Sequence, residues 1–254
     1  MNYLIVILSL FIVIFLHELG HLIAGLYTGA AITSFNIGFG KKLFTFYIKG
    51  VEINLRLFLV LGGYVQFKET EDCKDYETSL VDLPFWKKII VNLAGVTVNF
   101  IFALISTFAL LVSLGMDVGK SFTTTFYIFS SAIVLSLTNL NRISEFSSPI
   151  GIVAQGGDML KTLPEQGMPG LFASVMFMSI MLHIGVGVTN LLPLSALDGG
   201  RCIVDAITAL TKTESIARRF LYAYEIVSLF GLGLLFVFLI SKDSLALVRT
   251  LLSI

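Results

Sequence analysis

Four stretches of this chain are apolar for long enough to cross a bilayer, and the polar residues inside them are few. Residues 3–27, 88–114, 171–193 and 220–240 each supply about 20 mostly apolar residues, the length a membrane-spanning helix needs. Between the first two the period changes. Over residues 32–68 the apolar positions Phe35, Ile37, Phe39, Phe44, Phe46, Ile48, Val51, Ile53, Leu55, Leu57 and Leu59 fall largely at alternate places, with Gly38, Gly40, Gly50, Gly62 and Gly63 between runs. Period-two apolarity broken by glycine predicts strands and hairpins. Lipid cannot satisfy open backbone groups, so a sheet beside a span needs its edges covered by protein or turned to a cavity. Gly62-Gly63-Tyr64-Val65 is therefore either an edge to which an extended peptide can be added or a plain surface hairpin.

Residues 121–140 are ambiguous: long enough to cross, but rich in threonine and serine. The expected fold is a polytopic α-helical membrane protein in one domain, residues 1–254. It has about four transmembrane helices, a small membrane-associated β-sheet after the first, and a partly embedded helix before the third.

Composition agrees with that class. The chain is 56% hydrophobic and 13% charged, against roughly 25% charged in soluble domains. A formal net charge of zero gives no electrostatic case for nucleic acid. Cys73 and Cys202 lack C-x-x-C spacing, which points away from a disulfide framework or a cysteine zinc site. The first apolar run has no basic segment before it and no small-residue cleavage site, so it reads as a retained span.

The chemistry sits in the second half of that run, at His17-Glu18-Leu19-Gly20-His21. Residues four apart share a helix face, so two neutral imidazoles point at one place and can bind zinc, with Glu18 beside them to take a proton from water. A paired core histidine is the bland alternative. Ionisable groups within a span cost roughly 2.5–3.5 kcal/mol each on insertion scales, which favours a functional role. Catalytic zinc usually has three protein ligands. Asp198 is the preferred third, because Pro193 ends the preceding helix and Gly199-Gly200 lets the backbone turn; His183, far up the same span, is its rival. If 121–140 does not cross, the first and third spans run the same way and the histidines and Asp198 share a side. Lysine and arginine concentrate in the first and third connections, which places that side in the cytoplasm. In the second span Asn92, Asn99 and Gly95 lie on related faces and are expected to point at protein.

His17 to His21, Gly62 to Val65, Asn92 to Gly95 with Asn99, Ser148 to Ile152 and Asn190 to Gly200 together resemble the site-2 protease family of intramembrane zinc metalloproteases, most nearly the regulator-of-sigma-E type. The resemblance implies one zinc per chain on His17, His21 and Asp198, with Glu18 as general base and acid and Asn190 close to the active site. Asn190, Gly62, Gly63 and Tyr64 are then the candidate substrate-binding residues. It further implies a single-span membrane protein as substrate, such as an anti-sigma factor trimmed by an upstream site-1-type protease, and a place in the bacterial inner membrane. Two departures stand out: residues 115–170 are too few for the PDZ domains of sigma-E-type relatives, and Val96 stands where relatives often have proline. A metal transporter would want more intramembrane acids and histidines than His183 and Glu225, and a silent substrate-binding relative has no need of Glu18.

Overall fold

The computed structural model describes residues 2–74, 77–138, 147–162, 170–211 and 214–252. In chain order the elements are α1 (Asn2–Thr28), β1 (Ile32–Ile48), β2 (Val51–Phe67), α2 (Phe85–Ser113), α3 (Val118–Thr138), α4 (Pro149–Thr162), α5 (Leu171–Asn190), α6 (Asp198–Leu210) and α7 (Glu214–Leu252). Contacts divide the chain into two compact units. One comprises residues 1–13, 100–188 and 231–254, and the other residues 14–99 and 189–230.

In the first unit, Ala103 and Leu110 of α2 pack with Ala173, Ile180, Ile184 and Val188 of α5, and Phe129, Ala132 and Ile133 of α3 close over them. His183 is fully buried here, stacked on the ring of Phe102 at 5.5 Å. Asp243 of α7 accepts a hydrogen bond from the backbone N–H of Ser148 at the start of α4.

The described residues hold five helices long and apolar enough to cross a membrane, where four were expected. The addition is α3, which had been expected to lie only partly embedded; the last two residues of the 121–140 stretch are outside the described residues. Its hydroxyls explain the difference. Thr125 donates to Ser121 O, Ser130 to Tyr127 O, Ser136 to Ala132 O and Thr138 to Val134 O. A hydroxyl bonded back to its own helix needs no water, so these residues are far less costly in lipid than a sequence count implies. The sequence also left α4 unassigned between α3 and α5. Helix α7 extends well beyond the expected 220–240 on both sides.

In the second unit, α1 ends in a Schellman turn, with Ala30 N–H donating to Gly25 O, and Lys87 Nζ caps it by donating to Thr28 O. The predicted sheet is present. Strands β1 and β2 pair along three ladders: residues 44–48 antiparallel to 51–55, residues 34–37 antiparallel to 63–66, and residues 34–37 in rising register beside 52–55. Phe35 has Val65 as Cα partner on one side and Ile53 on the other, and Asn36 has Tyr64 and Asn54. Residues 34–37 are thus the inner segment of the sheet and 63–67 an outer one. Phe35 meets Phe15 of α1 edge to face, at 6.0 Å between centroids.

Candidate metal centre

Helix α1 brings His17 and His21 to one face as their spacing requires, with Nε2 atoms 3.3 Å apart. Asp198 comes from the first turn of α6. Its Oδ2 lies 3.2 Å from His17 Nε2 and 3.3 Å from His21 Nε2. All three residues are buried. Asp198 Oδ2 has no hydrogen-bond partner of good geometry although it is enclosed, so three electron-pair donors converge without a proton shared well among them. The triangle fits a zinc ion. Ligands about 2.0–2.1 Å from a tetrahedral metal stand roughly 3.3–3.4 Å from one another, the spacing found here. His183, the rival third ligand, is absent from this group.

The turn that delivers Asp198 explains the glycines after it. Past the end of α5 the chain folds back through bonds from Leu194 N–H to Leu192 O and from Leu197 N–H to Leu194 O. A Cβ on Gly199 would strike the Leu191 carbonyl, and one on Gly200 the Leu194 carbonyl. The expected backbone turn is present before Asp198, and Gly199-Gly200 continue as the first turn of α6.

Helix α2 touches the surroundings of every ligand. His21 Nδ1 is 2.8 Å from Val91 O, so its proton is on Nδ1 and the Nε2 lone pair is free for a metal. The Asn99 carboxamide lies 3.0 Å from His17 Nδ1. The amide atom placed there is Nδ2; the carboxamide turned end for end, which the geometry allows equally, would accept the Nδ1 proton and select the same tautomer for His17. Asn92 Nδ2 donates to Asp205 Oδ2 at 2.7 Å, with Lys88 Nζ 3.9 Å from the other carboxylate oxygen. Burial raises the Asp205 carboxyl above its ordinary range, against the opposing pull of Asn92 and Lys88. The tie holds α6, and with it Asp198, to α2.

Asn92 and Asn99 do point at protein, but the sequence does not reveal that Asn99 meets a ligand. The available signal is the spacing of residues 91, 95 and 99, which share one face of α2. Partners of metal-bound imidazoles are worth about 10–100-fold in affinity. Asn99→Ala is expected to weaken zinc binding by such a factor in competition with a chromophoric chelator. Unchanged affinity would reduce Asn99 to helix packing.

The remaining candidates are placed as follows. Glu18 faces the sheet, where a Cβ on Gly63 would come within 2.7 Å of its Cγ. Tyr64 lies between the ring of Phe39, stacked at 5.9 Å, and the guanidinium of Arg56 at 5.6 Å. Gly62 has φ +133 and packs on Phe39. Asn190 is the last residue of α5.

A family model described as peptidase family M50 matches residues 5–236. The chain belongs to that family. This is the site-2 protease family that the sequence resembles, and zinc is the metal named for several relatives. A chloroplast membrane metalloprotease of Arabidopsis thaliana is 37% identical over 114 residues, 43% of this chain and 26% of that protein. A protein of Helicobacter pylori named a zinc metalloprotease is 34% identical over 119 residues, 44% of this chain and 33% of its own length. One of Clostridium perfringens with the same description is 37% identical over 107 residues, 42% of this chain and 32% of that protein. The matched part of this M50 chain thus spans about a third or less of these relatives.

Proposed function

We propose that this chain is an intramembrane zinc endopeptidase, which hydrolyses a peptide bond in or near the membrane segment of a single-span protein. The observation that carries the proposal is the buried triangle of His17, His21 and Asp198 at tetrahedral spacing, with Glu18 on the same turn as His17. Zinc held by these residues supplies Lewis-acid activation of a water and polarisation of the peptide carbonyl. The Glu18 carboxylate accepts the proton that the attacking water gives up. It returns that proton to the amide nitrogen as the C–N bond breaks. The Asn190 carboxamide is the proposed donor to the oxygen on which negative charge develops.

A membrane helix keeps its carbonyls in internal hydrogen bonds, so the substrate must unwind locally before attack. The outer sheet segment supports a way to do this. Residues 63–65 are paired with β1 on one side, and among the described residues no strand pairs with their other side. An unwound segment added there would regain partners for its N–H and C=O groups. Gly63, lacking a side chain, brings that backbone against Glu18.

The proposed setting is a bacterial inner membrane, with the site toward the cytoplasmic face. A membrane-anchored regulator such as an anti-sigma factor, already cut by an upstream site-1-type protease, is the proposed substrate class. Lysine and arginine distribution supports the orientation, and the bacterial relatives support the membrane.

The test is cleavage of a purified single-span model polypeptide by the full chain in detergent. A zinc chelator should abolish cleavage, and added zinc should restore it. Cleavage that survives complete removal of the metal would overturn the proposal.

A further inference from the structure

Neighbouring residues along a strand face opposite sides of the sheet, and Cα partners across it share a side. The rows through Phe35 and Ile37 are apolar: Val65, Phe35 and Ile53, then Gly63, Ile37 and Leu55. The row between them is not. It runs Thr45, Asn54, Asn36, Tyr64, and both asparagines are completely buried.

These amides belong to a directional chain of hydrogen bonds. Thr45 Oγ1 donates to Asn54 Oδ1 at 2.7 Å, and Asn54 Nδ2 to Asn36 Oδ1 at 3.0 Å. Asn36 Nδ2 donates to Ser34 Oγ at 2.8 Å, and Ser34 Oγ to Gln66 Oε1 at 3.2 Å. Arg56 Nε adds a second donor to Asn36 Oδ1 at 3.0 Å, and Arg56 itself is anchored to Gly40 O at 2.9 Å. Each donor feeds the next acceptor, so the bonds polarise one another, and the chain ends on the outer segment.

The ladder from Ser34–Gln66 to Ile37–Gly63 keeps one register throughout, and the buried polar row adds to apolar alternation a second signal that fixes it. A slip by one residue would turn every side chain to the wrong face. It would also replace Gly63 beside Glu18 with a neighbour. At Gly63 a Cβ would lie 2.7 Å from Glu18 Cγ and 2.9 Å from Asn36 O, so Tyr64 cannot stand there.

We propose that the relay Thr45–Asn54–Asn36–Ser34–Gln66, braced by Arg56, is a positioning device that sets the register of residues 63–66 beside Glu18 and so determines how tightly an extended substrate is held. This rests on the role of that segment as the docking strand. None of the relay residues touches the reacting atoms; they act through the backbone they locate. Replacing both asparagines together leaves no orphaned amide between them, and the groups that lose an acceptor, Thr45 and Arg56, are exposed and half-buried, within reach of water, so Asn36→Val with Asn54→Val removes the register signal at modest cost.

The experiment measures three quantities on the full chain in detergent: zinc content, KM and kcat for a purified polypeptide with one span interrupted by a Gly-Ser pair, and hydrogen exchange of residues 63–66. The paired variant should bind zinc like the wild type, exchange faster at 63–66 but not in residues 14–24, and show KM raised by about tenfold with kcat within about twofold, the pattern of lost pre-organisation. Gln66→Leu, which cuts only the last link, should shift KM and exchange in the same direction. Unchanged exchange and KM in both variants would overturn the proposal. So would parallel loss of zinc and kcat, which would make the relay a general support of the fold. Wild type that binds zinc but cuts no polypeptide would overturn the protease reading instead, and exchange at 63–66 alone would then decide whether the relay sets register.

Discussion

Glu18→Gln is expected to keep about one zinc per chain while lowering kcat by about 10³-fold, within the range for removing a general acid–base group. That factor corresponds to about 4 kcal/mol of barrier. The expectation has two independent parts. Glutamine has the shape of glutamate, so the close fit against Gly63 survives and the sheet stays where it is. The ligand triangle contains no atom of Glu18, so metal content should not follow activity. Metal analysis and steady-state rates on one preparation check both. Full activity would place the proton acceptor elsewhere, and loss of zinc would mean that Glu18 helps to hold the ion.

Gly95→Ala should have an effect nearly as large by another route. Helix propensity favours alanine over glycine by about 1 kcal/mol in a helix interior, so on α2 alone the change would stabilise. The site reverses the sign. A Cβ at Gly95 would fall 2.5 Å from His21 Nε2 and 2.7 Å from His17 Nε2, whereas unbonded heavy atoms prefer about 3.5–4.0 Å. The atoms struck are the two nitrogens that would bind the metal. We expect zinc affinity to fall at least about 100-fold, as for loss of ligand geometry, with cleavage lost alongside it. Gly185→Ala is the control, since a Cβ there meets nothing within 4 Å. Isothermal titration of both apo proteins with zinc makes the comparison. Wild-type affinity in Gly95→Ala would show that α2 can move away from the imidazoles, and that it does not set the site.

Much of this was legible because the chemistry is local. His17 and His21 declare themselves by spacing on one helix, and the strands of residues 32–68 by alternation and glycine. Asp198 could be chosen over His183 from the proline and glycines around it, although its place in the first turn of α6 could not. What stayed hidden depends on which elements meet. The contact of Asn99 with His17 joins two helices, and the shared face of residues 91, 95 and 99 does not by itself say what that face meets. Asn36 and Asn54 occupy the polar beats of an alternating strand, which sequence alone assigns to solvent; only the bonds to Ser34, Thr45 and Arg56 make their burial tolerable. The threonines of α3 lower its apparent hydropathy in the sequence, which does not show that their hydroxyls bond back to the preceding turn.

If His17, His21 and Asp198 hold the metal, the division of that set between α1 and α6 governs when it can be kept. The two imidazoles are synthesised first, and on their own they are an open, low-affinity pair. Asp198 follows only after six further helices and strands, β1 through α5, have been made. Tight loading would therefore be a late event in biogenesis, possible only once α6 has been made and with α7 alone to follow. A product interrupted before α6 would lack one of the three side chains that converge in the finished site.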